Sequence, residues 1–173
     1  DLDVEFEIFE GMTEAAGSRL SVLLSQDDRA PEKWREVLDR INNARADGQD
    51  ITAQIAARPV TLLLGVQSSM HPFITCPTYR QELANLDLDE RVERMRDPKM
   101  RAVLVNEHAD RTRGMSGMIA QSFHKMFPLG DPPDYEPKPE ASILARAQAA
   151  GIEPVELAYD MLLSRNGGGL MLF

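Results

Sequence analysis

Leu20-Ser-Val-Leu-Leu-Ser-Gln26 and Ile51-Thr-Ala-Gln-Ile-Ala-Ala57 are the two stretches whose reading decides the fold. Each is a short apolar run that ends in polar or small residues, as a buried strand does. Between them Asp27-Asp28 lead to Pro31, well placed in the first turn of a helix. Trp34, Val37, Leu38 and Ile41 form that helix's apolar face and Gly48 stops it. Before the first strand, Leu2, Phe6, Phe9 and Met12 recur at spacings of four and three, one stripe of a helix that Gly17 ends. Helix, strand, helix, strand with short polar links is the pattern of parallel βα units. In such folds ligands meet the carboxyl ends of the strands, here Ser25-Gln26 and the stretch from Gln54 to Arg58.

The middle of the chain reads differently. From Gln67 to Pro139 no strand is predicted. Asp89 to Arg96 reads as a short helix, and Asp97-Pro98 supplies the N-cap and first-turn proline of another, with Met100, Val103 and Leu104 on its apolar side. Met115 to Phe127 is predicted to be helical, and the proline-dense Leu129 to Pro139 to be an extended crossing loop. Regular order then resumes with a helix over Glu140 to Ala150 stopped by Gly151. A second helix starts at Pro154 and buries Leu157, Met161 and Leu162, and a strand opens at Leu170. The expected division is residues 1–66 as βα units, 67–139 as a helical and loop insertion, and 140–173 as a return to the scaffold. Together they make a single incomplete domain of helix-rich α/β class.

A chain of 173 residues with 43% apolar content is long and apolar enough for a real core. Its 28 acids against 19 bases give a net charge of −9, which disfavours nucleic acid or an anionic membrane as partner. The longest strongly apolar run, Val60 to Val66, is far too short to span a bilayer. The single Cys76 excludes an internal disulfide and fits a reducing compartment, so a cytoplasmic location is expected. The chain enters a helical pattern at once and stops on an opening strand, Asn166-Gly-Gly-Gly-Leu-Met-Leu-Phe173, so it reads as an internal piece of a larger enzyme.

The chemically capable residues are few. His71, His108 and His124 are the only histidines, and His71 and Cys76 share a proline-bounded loop. No His-x-His, His-Glu-x-x-His or Cys-x-x-Cys spacing occurs, so no metal site is expected from this chain alone. Gly114-Met-Ser-Gly117 lacks the preceding strand of a nucleophile elbow. Gly167-Gly-Gly169 precedes a strand and not a helix, so it reads as a tight turn and not a phosphate loop. Arg58, fixed at a strand end by Pro59, can grip a substrate carboxylate in a bidentate fashion, or simply pair with one of the many acids. Gln26 and Gln54 at strand ends, with His71, are the further candidates to line a substrate pocket; the glutamines hydrogen-bond but do not transfer protons. Tyr159-Asp160 reads as packing and solvated face.

Several stretches, in order, resemble the middle of the N-acyl-D-amino-acid deacylases, the D-aminoacylase-like branch of the amidohydrolase superfamily. They are Ala57-Arg-Pro-Val-Thr-Leu-Leu-Leu-Gly65, Ser69-Met-His-Pro-Phe73, Tyr79-Arg80, Glu90-Arg-Val-Glu-Arg-Met-Arg-Asp-Pro98, Gly130-Asp-Pro-Pro-Asp-Tyr-Glu136 and Pro154-Val-Glu-Leu-Ala-Tyr-Asp-Met-Leu-Leu163. The resemblance covers essentially the whole chain. It implies part of a (β/α)8 TIM-type barrel, with Leu20 to Gln26 as about the fifth strand, Ile51 to Ala57 the sixth and Leu170 to Phe173 opening the seventh. It also implies a hydrolase acting on C–N bonds other than peptide bonds. Zinc or another divalent metal in the parent enzyme would activate a water against the amide of a small N-acyl amino acid. The family's His-x-His and its last-strand aspartate fall outside these residues, the fifth strand ends Leu24-Ser-Gln26 where the family carries a histidine, and the sixth strand also lacks one. A second expectation therefore stays open: a non-catalytic fragment or subunit that acts only with a partner chain. On either reading the chain is expected to self-associate or to pair with the rest of its barrel, because two or three barrel strands alone leave bare edges.

Overall fold

The computed structural model describes residues 2–27, 29–57, 59–109 and 114–173. The chain forms two compact units, Asp1–Val60 and Thr61–Phe173. The architecture is α/β and rich in helix, as the alternation predicts.

The first unit runs α1 (Leu2–Ala16), β1 (Leu20–Leu23), α2 (Lys33–Ala46) and β2 (Ile51–Gln54). β1 and β2 pair in parallel, Leu20 opposite Ile51 and Leu23 opposite Gln54, which is the expected βαβ connection. Phe6, Ile41, Ala44 and Ile51 are its buried core, with Leu2, Phe9, Leu20, Val22 and Val37 packed around them. Both helices therefore bear on one face of the strand pair. Gly17 and Gly48, at φ of 59° and 91°, close the two helices in the left-handed conformation that glycine adopts without strain.

Two details differ from the sequence reading. The inward stripe of α1 ends on Thr13 and not on Met12, which is 52% exposed. Thr13 can be buried because its hydroxyl donates to the carbonyl of Phe9 at 2.9 Å. β2 stops at Gln54 and does not reach Ala57. The last interstrand bond runs from Leu24 N–H to Gln54 O at 2.9 Å, and Ile55 beyond it is 72% exposed.

The second unit carries β3 (Leu63–Leu64), α3 (Leu88–Arg96), α4 (Pro98–Ala109), α5 (Gly114–Gln121), β4 (Phe127–Pro128), α6 (Ile143–Ala150), α7 (Pro154–Gly167) and β5 (Met171–Leu172). β5 lies between β3 and β4 and is antiparallel to both. This corrects two expectations: the middle segment does hold a strand, β4, and the run from Leu170 is not a third parallel strand beside β1 and β2. Its backbone is held on both sides. Leu62 and Phe173 exchange two hydrogen bonds of 2.9 and 2.8 Å, and Leu129 N–H donates to Leu170 O at 2.9 Å.

Residues from the middle and the C-terminal segments share one core, in which Phe73, Met95, Leu104, Tyr159 and Leu162 are fully enclosed. The Tyr159 hydroxyl donates to Met95 O at 2.7 Å, so this large ring is buried with its polar end satisfied. Val103, expected on the inner side of α4, is 42% exposed, while Leu104 is enclosed. α6 starts at Ile143 and not at Glu140, because Ser142 caps it by accepting from Ala145 N–H at 3.2 Å after a tight turn over Pro139–Ala141. The glycine triplet is the tight turn that was expected. A Cβ on Gly169 would sit 1.8 Å from the carbonyl oxygen of Met161, so only glycine lets the chain pass there.

Candidate functional site

The carboxyl ends of β1 and β2 lie at the same end of the first unit, because the two strands are parallel. There Leu24, Ser25, Gln26, Trp34 and Ile55, with Glu32 and Arg35, line an open depression of about 360 Å³. Several of its polar groups already have partners. Gln26 Nε2 donates to Pro31 O at 2.9 Å, and Ser21 Oγ donates to Gln54 Oε1 at 3.3 Å on the sheet face nearby. Arg35 pairs with Glu32 at 2.5 Å, one helical turn away, and its guanidinium sits 4.4 Å over the Trp34 ring. The result is a neutral recess walled by an indole and two aliphatic side chains, with amide and hydroxyl groups at its rim. It is suited to binding and orienting, since none of its lining groups is a free acid or base.

The expected site residues are thus only partly brought together. Gln26 and Gln54 share the strand-end region. Arg58 lies outside the described residues. His71 belongs to the second unit and is enclosed there, 1% exposed, so its ring does not line an open pocket. Its Nδ1 accepts from Phe73 N–H at 3.2 Å, its ring stands edge-on to Tyr79 at 4.5 Å, and its Nε2 has no partner among the described residues. Burial above all, and then the nearby Arg91 cation, push its pKa down to about 3, so the imidazole is neutral at physiological pH.

His108 is buried as well, between Phe73 and Phe123, with Nε2 3.1 Å from Ala120 O. Burial lowers its pKa, and the bond to the Ala120 carbonyl opposes that only in part. Cys76 is buried, and its thiol donates to Leu104 O at 3.8 Å. Asp160, read as solvated face, pairs with Arg101 at 3.3 Å, and Arg101 also holds Glu156 at 3.0 Å. Among the described residues no three of His, Cys, Asp and Glu converge in a way that fits a metal ion, and no helix is long and apolar enough to cross a membrane.

The Glu32–Trp34–Arg35 cluster was not read from the sequence as part of a site. Its signal was present, since an acid and an arginine three apart flank the only tryptophan, but Trp34 fits equally well on a buried helical face. No protein-family model, curated protein or solved structure matches the chain.

Proposed function

We propose that this chain is the central segment of a metal-dependent amidohydrolase of the N-acyl-D-amino-acid deacylase type, hydrolysing an amide bond of a small N-acyl amino acid or related substrate. The observation that carries this reading is the one-sided packing of the first unit. α1 and α2 both cover the Leu20, Val22 and Ile51 face of a parallel strand pair. The opposite face carries Ser21, Leu23, Thr52 and Gln54, with Leu23 63% exposed. Helices on one face only, and polar side chains on the other, are what a strand pair of a (β/α)8 barrel needs, with its inner face toward the lumen.

On this reading β1 and β2 are neighbouring barrel strands, and the recess at their carboxyl ends orients the uncharged part of the substrate. Arg58, just beyond the second strand, holds its carboxylate. Zinc or another divalent metal would supply the activated water in the parent enzyme, and the described side chains do not by themselves fit that metal. A cytoplasmic location, a small-molecule amide as substrate, and self-association or pairing with the rest of the barrel belong to the same reading. A second reading, a non-catalytic chain that acts only with a partner, is favoured by the lack of histidine in Leu20 to Gln26 and Ile51 to Ala57.

The test is hydrolysis of N-acyl amino acids of both chiralities by the protein isolated with any chain that accompanies it, with added zinc or cobalt and with a chelator. Metal-dependent release of the free amino acid is expected. Arg58→Ala should raise KM about tenfold or more with kcat little changed, as loss of a bidentate carboxylate contact does. Absence of hydrolysis under all metal conditions sinks the enzymatic reading, and an unchanged KM removes Arg58 from it.

A further inference from the structure

α1 is apolar on two sides. Its inner stripe, Leu2, Phe6, Phe9 and Thr13, is used by the core of its own unit. A second stripe, Val4, Ile8 and Met12, recurs every fourth residue and stays 53%, 55% and 52% exposed. Single exposed apolar side chains are ordinary, but three in a row along one helix make a continuous ridge. Gly11 and Ala15 fall on the same face by helical spacing, and no atom lies within 4 Å of where a Cβ on Gly11 would stand. The helix backbone is therefore open to close approach at the middle of the ridge.

The charge beside this ridge says what can cover it. α1 contains no lysine or arginine, and Glu7, Glu10 and Glu14 follow one another at spacings of three and four along the border of the stripe. A second copy of this chain fits poorly. Laid antiparallel on itself, α1 brings one glutamate row against the other, and the whole chain carries a net charge of −9. We propose that the outward face of α1 docks an amphipathic helix whose apolar residues recur at the same spacing and whose border is lysine- or arginine-rich. Such a partner pairs with the glutamate row while its apolar residues bury Val4, Ile8 and Met12. The surface needs it whichever reaction the protein serves.

The test uses the full chain and a fluorescent synthetic helix with leucines at helical spacing and lysines along both borders. A control helix keeps the leucines and carries glutamates instead. Fluorescence anisotropy should show binding of the lysine-bordered helix alone, weakening as salt is raised. Ile8→Asp should weaken it about tenfold or more, as loss of a central apolar anchor does. Replacing Glu7, Glu10 and Glu14 together by lysine leaves the inner stripe untouched and should invert the preference to the glutamate-bordered helix. Equal binding of both helices, binding of neither, or a self-dimer that Ile8→Asp dissociates would each overturn the proposal.

Discussion

The two units of this protein solve the same problem to different degrees. In Thr61–Phe173 the central strand, β5, has hydrogen-bonded neighbours on both sides, and sixteen of the described residues form its buried core. In Asp1–Val60, among the described residues, a parallel pair has one neighbour per strand, and the buried core is Phe6, Ile41, Ala44 and Ile51. A two-stranded sheet and so small a core are marginal by themselves. Among the described residues the first unit, though the shorter, carries as many exposed large apolar side chains as the second, among them Val4, Ile8, Leu23 and Ile55. The difference teaches that one unit flanks its central strand on both sides, whereas the other packs a strand pair on one face.

This contrast can be broken by mutation. The largest effect is expected at Tyr159, which is fully enclosed and hydrogen-bonded to Met95 O. Tyr159→Ala should destabilise the second unit by about 4 kcal/mol, seen as a lowered urea midpoint of the cooperative main transition.

Ile41→Ala should cost about 3 kcal/mol, close to all the stability that so small a core provides. Circular dichroism and amide spectra should show the first unit's signals lost while those of the second persist. A single transition lowered for both units would contradict the contrast.

A smaller effect concerns pH. His71 is held neutral with its pKa pushed down to about 3. In the unfolded chain it titrates at its ordinary value near 6.5 and binds a proton that the folded state refuses. Its contribution is therefore complete above that value and is lost as pH falls toward 3. Between about pH 7.5 and pH 5 the second unit should lose about 2 kcal/mol from this group, read from unfolding midpoints. His71→Leu should flatten that slope, leaving the part due to His108, whose pKa burial also lowers.

The parallel pair was legible because half-buried strands and two stopping glycines punctuate Gly17 to Gln54 clearly, although α2 opens at Lys33 behind its N-cap Glu32, so Pro31 precedes the helix and is not in its first turn. The antiparallel sheet was not, since β3 and β4 are two residues each and show no alternation to read. The Met12-for-Thr13 exchange escaped because a threonine reads as polar until its hydroxyl finds a carbonyl one turn back. At the candidate site, topology alone puts Gln54 at the last pair of the parallel strands and Gln26 in the segment that follows the first strand. His71 was not. Its proline-flanked loop reads as surface, whereas Phe73 and Tyr79, packed by distant helices, carry the ring into the core.

The most direct measurement is hydrogen exchange, followed by mass spectrometry, on the isolated chain under native conditions. Free energies of opening differ between parts of one protein in proportion to their buried contacts. The account predicts fast exchange for the amides of β1 (Leu20–Leu23) and β2 (Ile51–Gln54), and slow exchange for α7 and β5. Equal protection of the two units would contradict it, because the smaller core and the lone strand pair would then cost the first unit nothing.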